Sequence, residues 1–384
     1  MSKQFAVIRQ QYTGFRSNWS FSTAMWLSKG LLLLVIILSA CVEKIDFPLN
    51  KGESKLIVSG QISNLNEDKY VFLSETTSAD RKPLLSGQYY VMNDLPRPVS
   101  GWVILVNEFG DKWDYQMEEP GKYRLDSTVV IEEGIYYHLE ITVSGAKYTS
   151  EPEKMPEVVG EDELGYTFDR GVFKNNPETS FISINTKVTL PEQNKGYYLR
   201  WDVDEAYYWD LTFFPNPFNQ PPPDCYVFGF PDPERITLLN GDLIGDSVSS
   251  SLQVVAERVI DESFLSRHYF NVRQVSISKS AYEYWRKVRE LVNNSGSVFD
   301  SPPAPIYGNI SNLDDEEEVV LGYFEVARVA QTRIYTTRAD VPFFEPEVCT
   351  YSPTRPYDDY PKTCLRCSEF PSSSGETPHW WFDQ

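Results

Sequence analysis

Apolar residues recur at every second position through much of this chain, a period that marks half-buried β-strands and not helices. Between Lys55 and Ser150 the pattern is carried by Leu56, Val58 and Ile62, by Val103 and Leu105, and by Tyr137, Leu139, Ile141 and Val143. Gly110-Asp111 and Gly145-Ala146 stand where hairpin turns belong, because such turns need residues that tolerate unusual backbone angles. Short strands with no helical pattern between them predict an antiparallel β-sandwich over residues 55–152.

The next part, 153–340, is also strand-rich. Its candidates are Ile182–Leu190, Tyr197–Asp204, Tyr207–Phe214, Tyr226–Phe230, Leu252–Ile260, Tyr269–Ile277, Val319–Ala327 and Thr332–Thr336. Strands at this density predict a β-barrel or a second β-sandwich. One helix is expected at about 280–294. Ser280 with Glu283 three residues on has the form of a capping box, and Ala281, Tyr284, Trp285, Val288, Leu291 and Val292 then share a face. The whole chain is therefore expected to be mainly β, with one packed helix.

Upstream of these strands, Leu31-Leu32-Leu33-Leu34-Val35-Ile36-Ile37-Leu38-Ser39-Ala40 follows Lys29 and leads into Cys41. A basic residue, a short apolar core and small residues before the cut make a secretory signal peptide over 1–40. The core is half of the roughly 20 residues that span a bilayer. Leu38-Ser39-Ala40-Cys41 resembles the lipobox of bacterial lipoproteins, which makes Cys41 the lipidation site and 41–54 a tether. The compact signal from Met25 onward places the true start of translation at Met25.

The chain has 55 acidic against 35 basic residues. Lys3, Arg9, Arg16 and Lys29 all lie in the leader, which has no acid, so the exported part is more acidic still. That field repels nucleic-acid phosphates, and no nucleic-acid partner is expected. Besides Cys41 there are Cys225, Cys349, Cys364 and Cys367. Four cysteines in an exported chain read as two disulfides, for which three pairings are open. They are expected to pin a segment, 341–384, with little core of its own. The Cys364-x-x-Cys367 spacing lacks a second pair or ligand histidines for zinc, and no metal or other cofactor is expected.

Signatures of catalysis are sparse. His138, His268 and His379 have no metal-ligand spacing, and no G-x-S-x-G, P-loop or G-x-G-x-x-G occurs. Asp202, Asp204 and Glu205 are candidate paired carboxylates by proximity alone, with the polar face of a strand as the plainer reading. Tyr197, Tyr198, Trp201, Tyr207, Tyr208, Trp209, Phe213, Phe214 and Phe218 crowd a hairpin-like region that ends in the proline-rich loop 215–223. Aromatic faces beside carboxylates suit sugars or peptides, so Trp201, Tyr208, Trp209 and above all Phe218 are candidate binding residues; the alternative is a barrel core.

Several landmarks occur in a telling order: Leu56-Ile57-Val58-Ser59-Gly60, Pro98-Val99-Ser100-Gly101-Trp102-Val103 and Gly121-Lys122-Tyr123, then Gln274-Val275-Ser276-Ile277-Ser278, Gly308-Asn309-Ile310 and Leu321-Gly322-Tyr323-Phe324. Cys364-Leu365-Arg366-Cys367 and Pro378-His379-Trp380-Trp381 close the series. With the lipobox, this set resembles the Bacteroidota outer-membrane lipoprotein family known as domain of unknown function 4249. The resemblance implies a lipid-anchored outer-membrane protein facing the cell surface, often encoded beside a TonB-dependent transporter, with no catalytic residues to carry over. It also implies that 55–152 is similar to Ig-like or transthyretin-like modules, although Trp102 stands where such modules usually carry Ala. Asp126-Ser127-Thr128 and Asp246-Ser247-Val248 resemble the O-glycosylation sequon of exported proteins of that phylum, making Ser127 and Ser247 candidates. The expected function is a non-catalytic accessory or binding protein of a transporter. The alternatives are a stand-alone glycan- or peptide-binding adhesive module and a hydrolase with its site between the domains.

Overall fold

A computed structural model describes residues 54–77, 96–157, 162–174, 176–190, 196–212, 222–245, 248–294, 306–343 and 348–382. Met25, Cys41, Phe218 and Ser247 lie outside the described residues. The first strands in chain order are β1 (Leu56–Ser63), β2 (Lys69–Glu75), β3 (Arg97–Pro98), β4 (Gly101–Asn107), β5 (Lys112–Asp114), β6 (Gln116–Glu119) and β7 (Lys122–Leu125). There follow β8 (Tyr136–Val143), β9 (Ala146–Ser150), β10 (Glu153–Lys154), β11 (Asp162–Phe173), β12 (Asn176–Thr189), β13 (Tyr198–Tyr208), β14 (Tyr226–Gly229) and β15 (Thr237–Asn240). The last are β16 (Ser250–Val259), β17 (His268–Ile277), the helix α1 (Lys279–Asn294), β18 (Ile310–Asn312), β19 (Leu321–Thr336) and β20 (Ser373–Ser374).

An 11-stranded sheet runs in the order β20-β14-β13-β17-β19-β1-β2-β7-β6, with β15 also on β13 and β3 on β2. Two smaller sheets, β18-β9-β8-β4-β5 (with β10 on β8) and β11-β12-β16, lie beside it. None closes on itself, so among the described residues the barrel alternative gives way to open, stacked sheets. Strand alternation sends odd and even residues of β17 and β19 to opposite faces. Even-numbered Phe270 and Val272 join Ile182, Ile184 and Val255 in one core. Even-numbered Phe324 and Val326 join Val58, Leu105, Leu139 and Ile141 in another. Both small sheets thus pack on the same face of the large one.

The division expected near 152 separates two cores but not two sheets. Most of the first core comes from residues 56–155, yet Ile310, Val320, Phe324 and Val326 complete it. The seam is a parallel pairing of β1 with β19, from Ile57↔Leu321 to Ser63↔Ala327. The expected hairpin between Tyr197–Asp204 and Tyr207–Phe214 is instead one continuous strand, β13, and Val319–Ala327 runs on into Thr332–Thr336 as β19. The three carboxylates within β13 each have a partner: Asp202 with Arg200, Asp204 with Asn271 and Glu205 with His268. The turns at Gly110 (φ +87°) and Gly145 (φ +92°) fall where expected.

Ser280 is not the cap of α1. Ser278 is: its Oγ accepts from Ala281 N at 3.1 Å, and its carbonyl accepts from Tyr282 N at 2.9 Å. Glu283 instead pairs with Arg286 at 2.9 Å. The helix lies on the odd-numbered face of the large sheet, where Ala281 and Tyr282 pack with Tyr198, Val275, Tyr323, Ala327 and Val329. Leu291 is left exposed.

The four cysteines form Cys225–Cys367 and Cys349–Cys364. The C-x-x-C residues are thus each tied to a distant partner and not to one another, which holds the tail to β14. The tail lays Trp380 and Trp381 on the odd-numbered face, against Tyr269 at 5.2 and 4.9 Å.

Candidate functional site

Helix α1 covers one end of the odd-numbered face and the C-terminal tail covers the other. Between them, no element of the described residues covers the middle of β13, β17 and β19. Two rows of polar side chains stand there in register: Asp202↔Arg273↔Gln331 and Asp204↔Asn271↔Arg333. Residues directly opposite on neighbouring strands share a face, so these six form one trough floor. Asp202 and Gln331 are exposed, Asp204, Arg273 and Arg333 are half-buried, and Asn271 is buried.

A half-exposed tryptophan stands at each end of the trough, and an arginine stacks on each. The Arg200 guanidinium lies 4.3 Å from the Trp285 ring on α1, and that of Arg333 lies 4.6 Å from Trp380 on the tail. Arg200 is buried and held between two carboxylates, at 2.9 Å from Asp202 and 3.2 Å from Glu325. Burial works against its charge, but the Asp202 and Glu325 carboxylates outweigh that and hold its pKa above the usual arginine value. Glu325 also accepts from Gln61 Nε2 at 2.6 Å and Trp285 Nε1 at 2.9 Å.

The outer edge of β13 is bare at the same level. It pairs with β15 over Tyr198–Trp201 and with β14 over Glu205–Tyr208, leaving Asp202–Asp204 without a neighbour on that side. A cavity of about 760 Å³ opens in this gap, lined by Asp202, Asp204, Phe230, Arg235 and Arg273 among others. A second, of about 310 Å³, takes in Gln61, Arg200, Arg273, Trp285 and Glu325. Arg273 belongs to both. Its head is held by Glu67 at 3.2 and 3.4 Å.

The three neighbouring carboxylates of β13 have separate fates. Asp202 is an ion-pair partner of Arg200. Asp204 accepts from Asn271 Nδ2 at 2.6 Å, and burial pushes its pKa up despite that bond and the nearby Arg273 and Arg333. Glu205 points to the other face and is buried, 3.0 Å from His268 Nε2 and 3.2 Å from Arg258. Burial opposes its ionisation, but the His268 bond and Arg258 outweigh burial and hold its pKa below the usual value.

His268 Nδ1 in turn lies 3.3 Å from Ser263 Oγ, giving a Ser-His-Glu sequence in space. Its setting is that of a brace. Ser263 Oγ donates to Asp261 at 2.5 Å, and Ser263 and His268 are 1% and 0% exposed. The imidazole is stacked between Phe264 at 4.2 Å and Tyr207 at 5.0 Å. A nucleophile needs a base to take its proton and room for substrate; here the proton goes to a carboxylate inside a closed core. Glu262, Cys349 and Cys364 also converge within 4.8 Å, but both sulfurs are disulfide-bonded and not thiolates, the form that binds metal.

Of the candidate binding residues, Trp201 is buried at 2% and its Nε1 donates to Asp162 at 2.7 Å; it lines the larger cavity only at its floor. Trp209 bonds to the Thr363 carbonyl at 3.1 Å and packs on Phe370 beside Cys367. Tyr208, half-buried, donates to Asp224 at 3.1 Å. Tyr197, Tyr198 and Tyr207 are buried as well. The aromatic region is therefore core in its described part, and the accessible rings near the trough are Trp285 and Trp380. Neither was legible as a site residue: one reads as a helix core position and the other as part of a tail. Ser127 is half-buried in the turn after β7, its N donating to Asp68 at 3.0 Å.

A family model described as Domain of unknown function (DUF4249) matches residues 42–333. The chain belongs to that family. No curated protein and no solved structure matches it. Four of the landmarks inside the matched range pair up as joints. The Tyr123 hydroxyl accepts from Gly101 N at 2.6 Å and donates to the Val99 carbonyl. Asn309 meets the backbone of Phe324 twice, accepting from its N at 2.9 Å and donating to its carbonyl at 2.8 Å. Trp102 is 68% exposed, so its bulk is accommodated outside the sandwich.

Proposed function

We propose that this protein is an outer-membrane lipoprotein, anchored through Cys41 and probing the cell exterior as a non-catalytic binding partner of a TonB-dependent transporter. The observation that carries the reading is the open polar trough over β13, β17 and β19, bracketed by Trp285 and Trp380. A binding site is expected to be a concavity with a few convergent polar groups beside aromatic rings. The groups with catalytic potential, Ser263, His268 and Glu205, are by contrast buried and mutually engaged. The leader and lipobox supply the address, since an acylated cysteine with two or more chains anchors stably.

Mild-detergent extraction of the tagged, full-length protein is expected to bring a TonB-dependent transporter with it. A single species without companion in repeated extractions refutes the association. Cys41→Ser is expected to abolish palmitate labelling and membrane fractionation; retention of either overturns the anchor. The trough also suits a stand-alone adhesive module, in which case the ligand binds and no transporter follows.

A further inference from the structure

Arg333 stands apart from the other arginines of the trough. Arg200 and Arg273 are held by carboxylates. The Arg333 side chain makes no hydrogen bond and no ion pair within 4 Å to any described residue; its guanidinium lies over the face of Trp380, and the Asp204 carboxylate feels its charge only from a longer distance. Its Nε is buried without a partner, as are Arg273 Nε and Asn271 Oδ1 beside it. Buried polar groups are nearly always satisfied, and a half-buried guanidinium is a fork built for planar oxyanions. In a chain with 20 more acids than bases, an arginine with no carboxylate at ion-pair distance among the described residues is a donor site for an anion.

Its neighbours ask for something different. Asn271 Oδ1 is an acceptor with no donor, and Asp204 has one oxygen engaged, by Asn271. Asp202 and Gln331 add exposed planar groups in the adjoining row. These call for hydroxyl donors on the ligand, while the Trp380 face lies under the Arg333 guanidinium and holds it in place.

We propose that the trough binds an acidic saccharide: its carboxylate on Arg333, which Trp380 holds in place, and its hydroxyls on Asp204 and Asn271. This rests on the binding reading above and gives it a ligand class.

The test uses the full-length protein in detergent micelles on an array of uronate-bearing, sialate-bearing and neutral oligosaccharides, with the tightest hit titrated by calorimetry. Acidic glycans are expected to bind above their neutral counterparts. Arg333→Gln is expected to weaken the hit about tenfold or more, the effect of removing a charged hydrogen-bonding partner, and to shrink its dependence on salt. Trp380→Phe, which keeps a ring under the Arg333 guanidinium, is expected to bind better than Trp380→Ala. No acidic glycan above the neutral set, or equal affinity in Arg333→Gln with its circular dichroism unchanged, overturns the proposal. The transporter pull-down is run on the same variants. Capture of the transporter without glycan binding sinks this inference and leaves the proposed function standing; glycan binding without capture does the reverse.

Discussion

Replacing Glu325 by Ala is expected to loosen helix α1 from the sheet and to destabilise the protein by about 3 kcal/mol. The carboxylate is 4% exposed and has three partners on three elements: Arg200 on β13, Gln61 on β1 and Trp285 on α1. Breaking a buried ion pair on one side costs roughly 3–5 kcal/mol, because the remaining charge is left uncompensated. Asp202 stays on the Arg200 guanidinium with two bonds at 3.1 and 2.9 Å, which places the cost at the lower end. Glu325→Gln keeps the shape and one acceptor and is expected to lose about half as much, near 1.5 kcal/mol, within the range for a charged hydrogen bond.

Urea unfolding followed by tryptophan fluorescence reads this directly, with the denaturant slope checked for constancy so that the midpoint reports stability. The double variant Arg200→Met, Glu325→Met is expected to recover part of the loss, since apolar pairs often match buried ion pairs. Glu325→Ala within about 1 kcal/mol of wild type, the scale of an exposed pair, refutes the claim that this ion pair is a buried joint.

The disulfides are expected to differ in weight. Cys225–Cys367 closes 142 residues of sequence and Cys349–Cys364 closes 15; loop-closure entropy assigns about 5 and about 3 kcal/mol to them, so Cys225→Ser with Cys367→Ser lowers the urea midpoint more than the other double variant, and the reverse order refutes the estimate. Stability is also expected to fall in acid through Glu205. Its folded pKa lies below the ordinary 4.5, so its contribution is complete above that pH and is lost as pH falls through the lowered value. Glu205→Gln flattens that limb of the stability–pH curve; an unchanged limb argues against it.

Period-two alternation made the β class and the first sandwich readable, because one face of each strand is buried and the other is wet. It failed where that rule does not apply. β13 reads Leu199-Arg200-Trp201-Asp202-Val203-Asp204-Glu205, with charges on both faces, and a turn seemed to interrupt it. In the fold, Arg200 meets Asp202 and Glu325 on one face while Glu205 meets His268 and Arg258 on the other. Asp202 is two residues from Arg200, but the other partners lie 53 to 125 residues away, beyond any local pattern. The trough failed to announce itself for the same reason: Asp204, Asn271 and Arg333 become neighbours only when three distant strands align. The aromatic cluster is conspicuous in sequence because its described part is core.

Gly322, in the landmark Leu321-Gly322-Tyr323-Phe324, and Arg333, in the trough, do different jobs, and stability measurements separate them. At Gly322 the backbone has φ +91°, and an added Cβ would sit 2.0 Å from the Val58 carbonyl oxygen. That is the parallel seam of β1 with β19, where the two cores share a sheet. Neither strain nor clash can be relieved by rotating a side chain, so Gly322→Ala is expected to cost more than about 3 kcal/mol, among the larger single-residue effects. Arg333 lies on the same strand; its side chain makes no hydrogen bond to a described residue and stacks on Trp380. Arg333→Gln is therefore expected to cost no more than about 1 kcal/mol, the scale of one cation–π contact. If Arg333→Gln unfolds the protein as readily as Gly322→Ala, the open face is itself a structural joint, and the trough loses its claim to be a site kept free for a ligand.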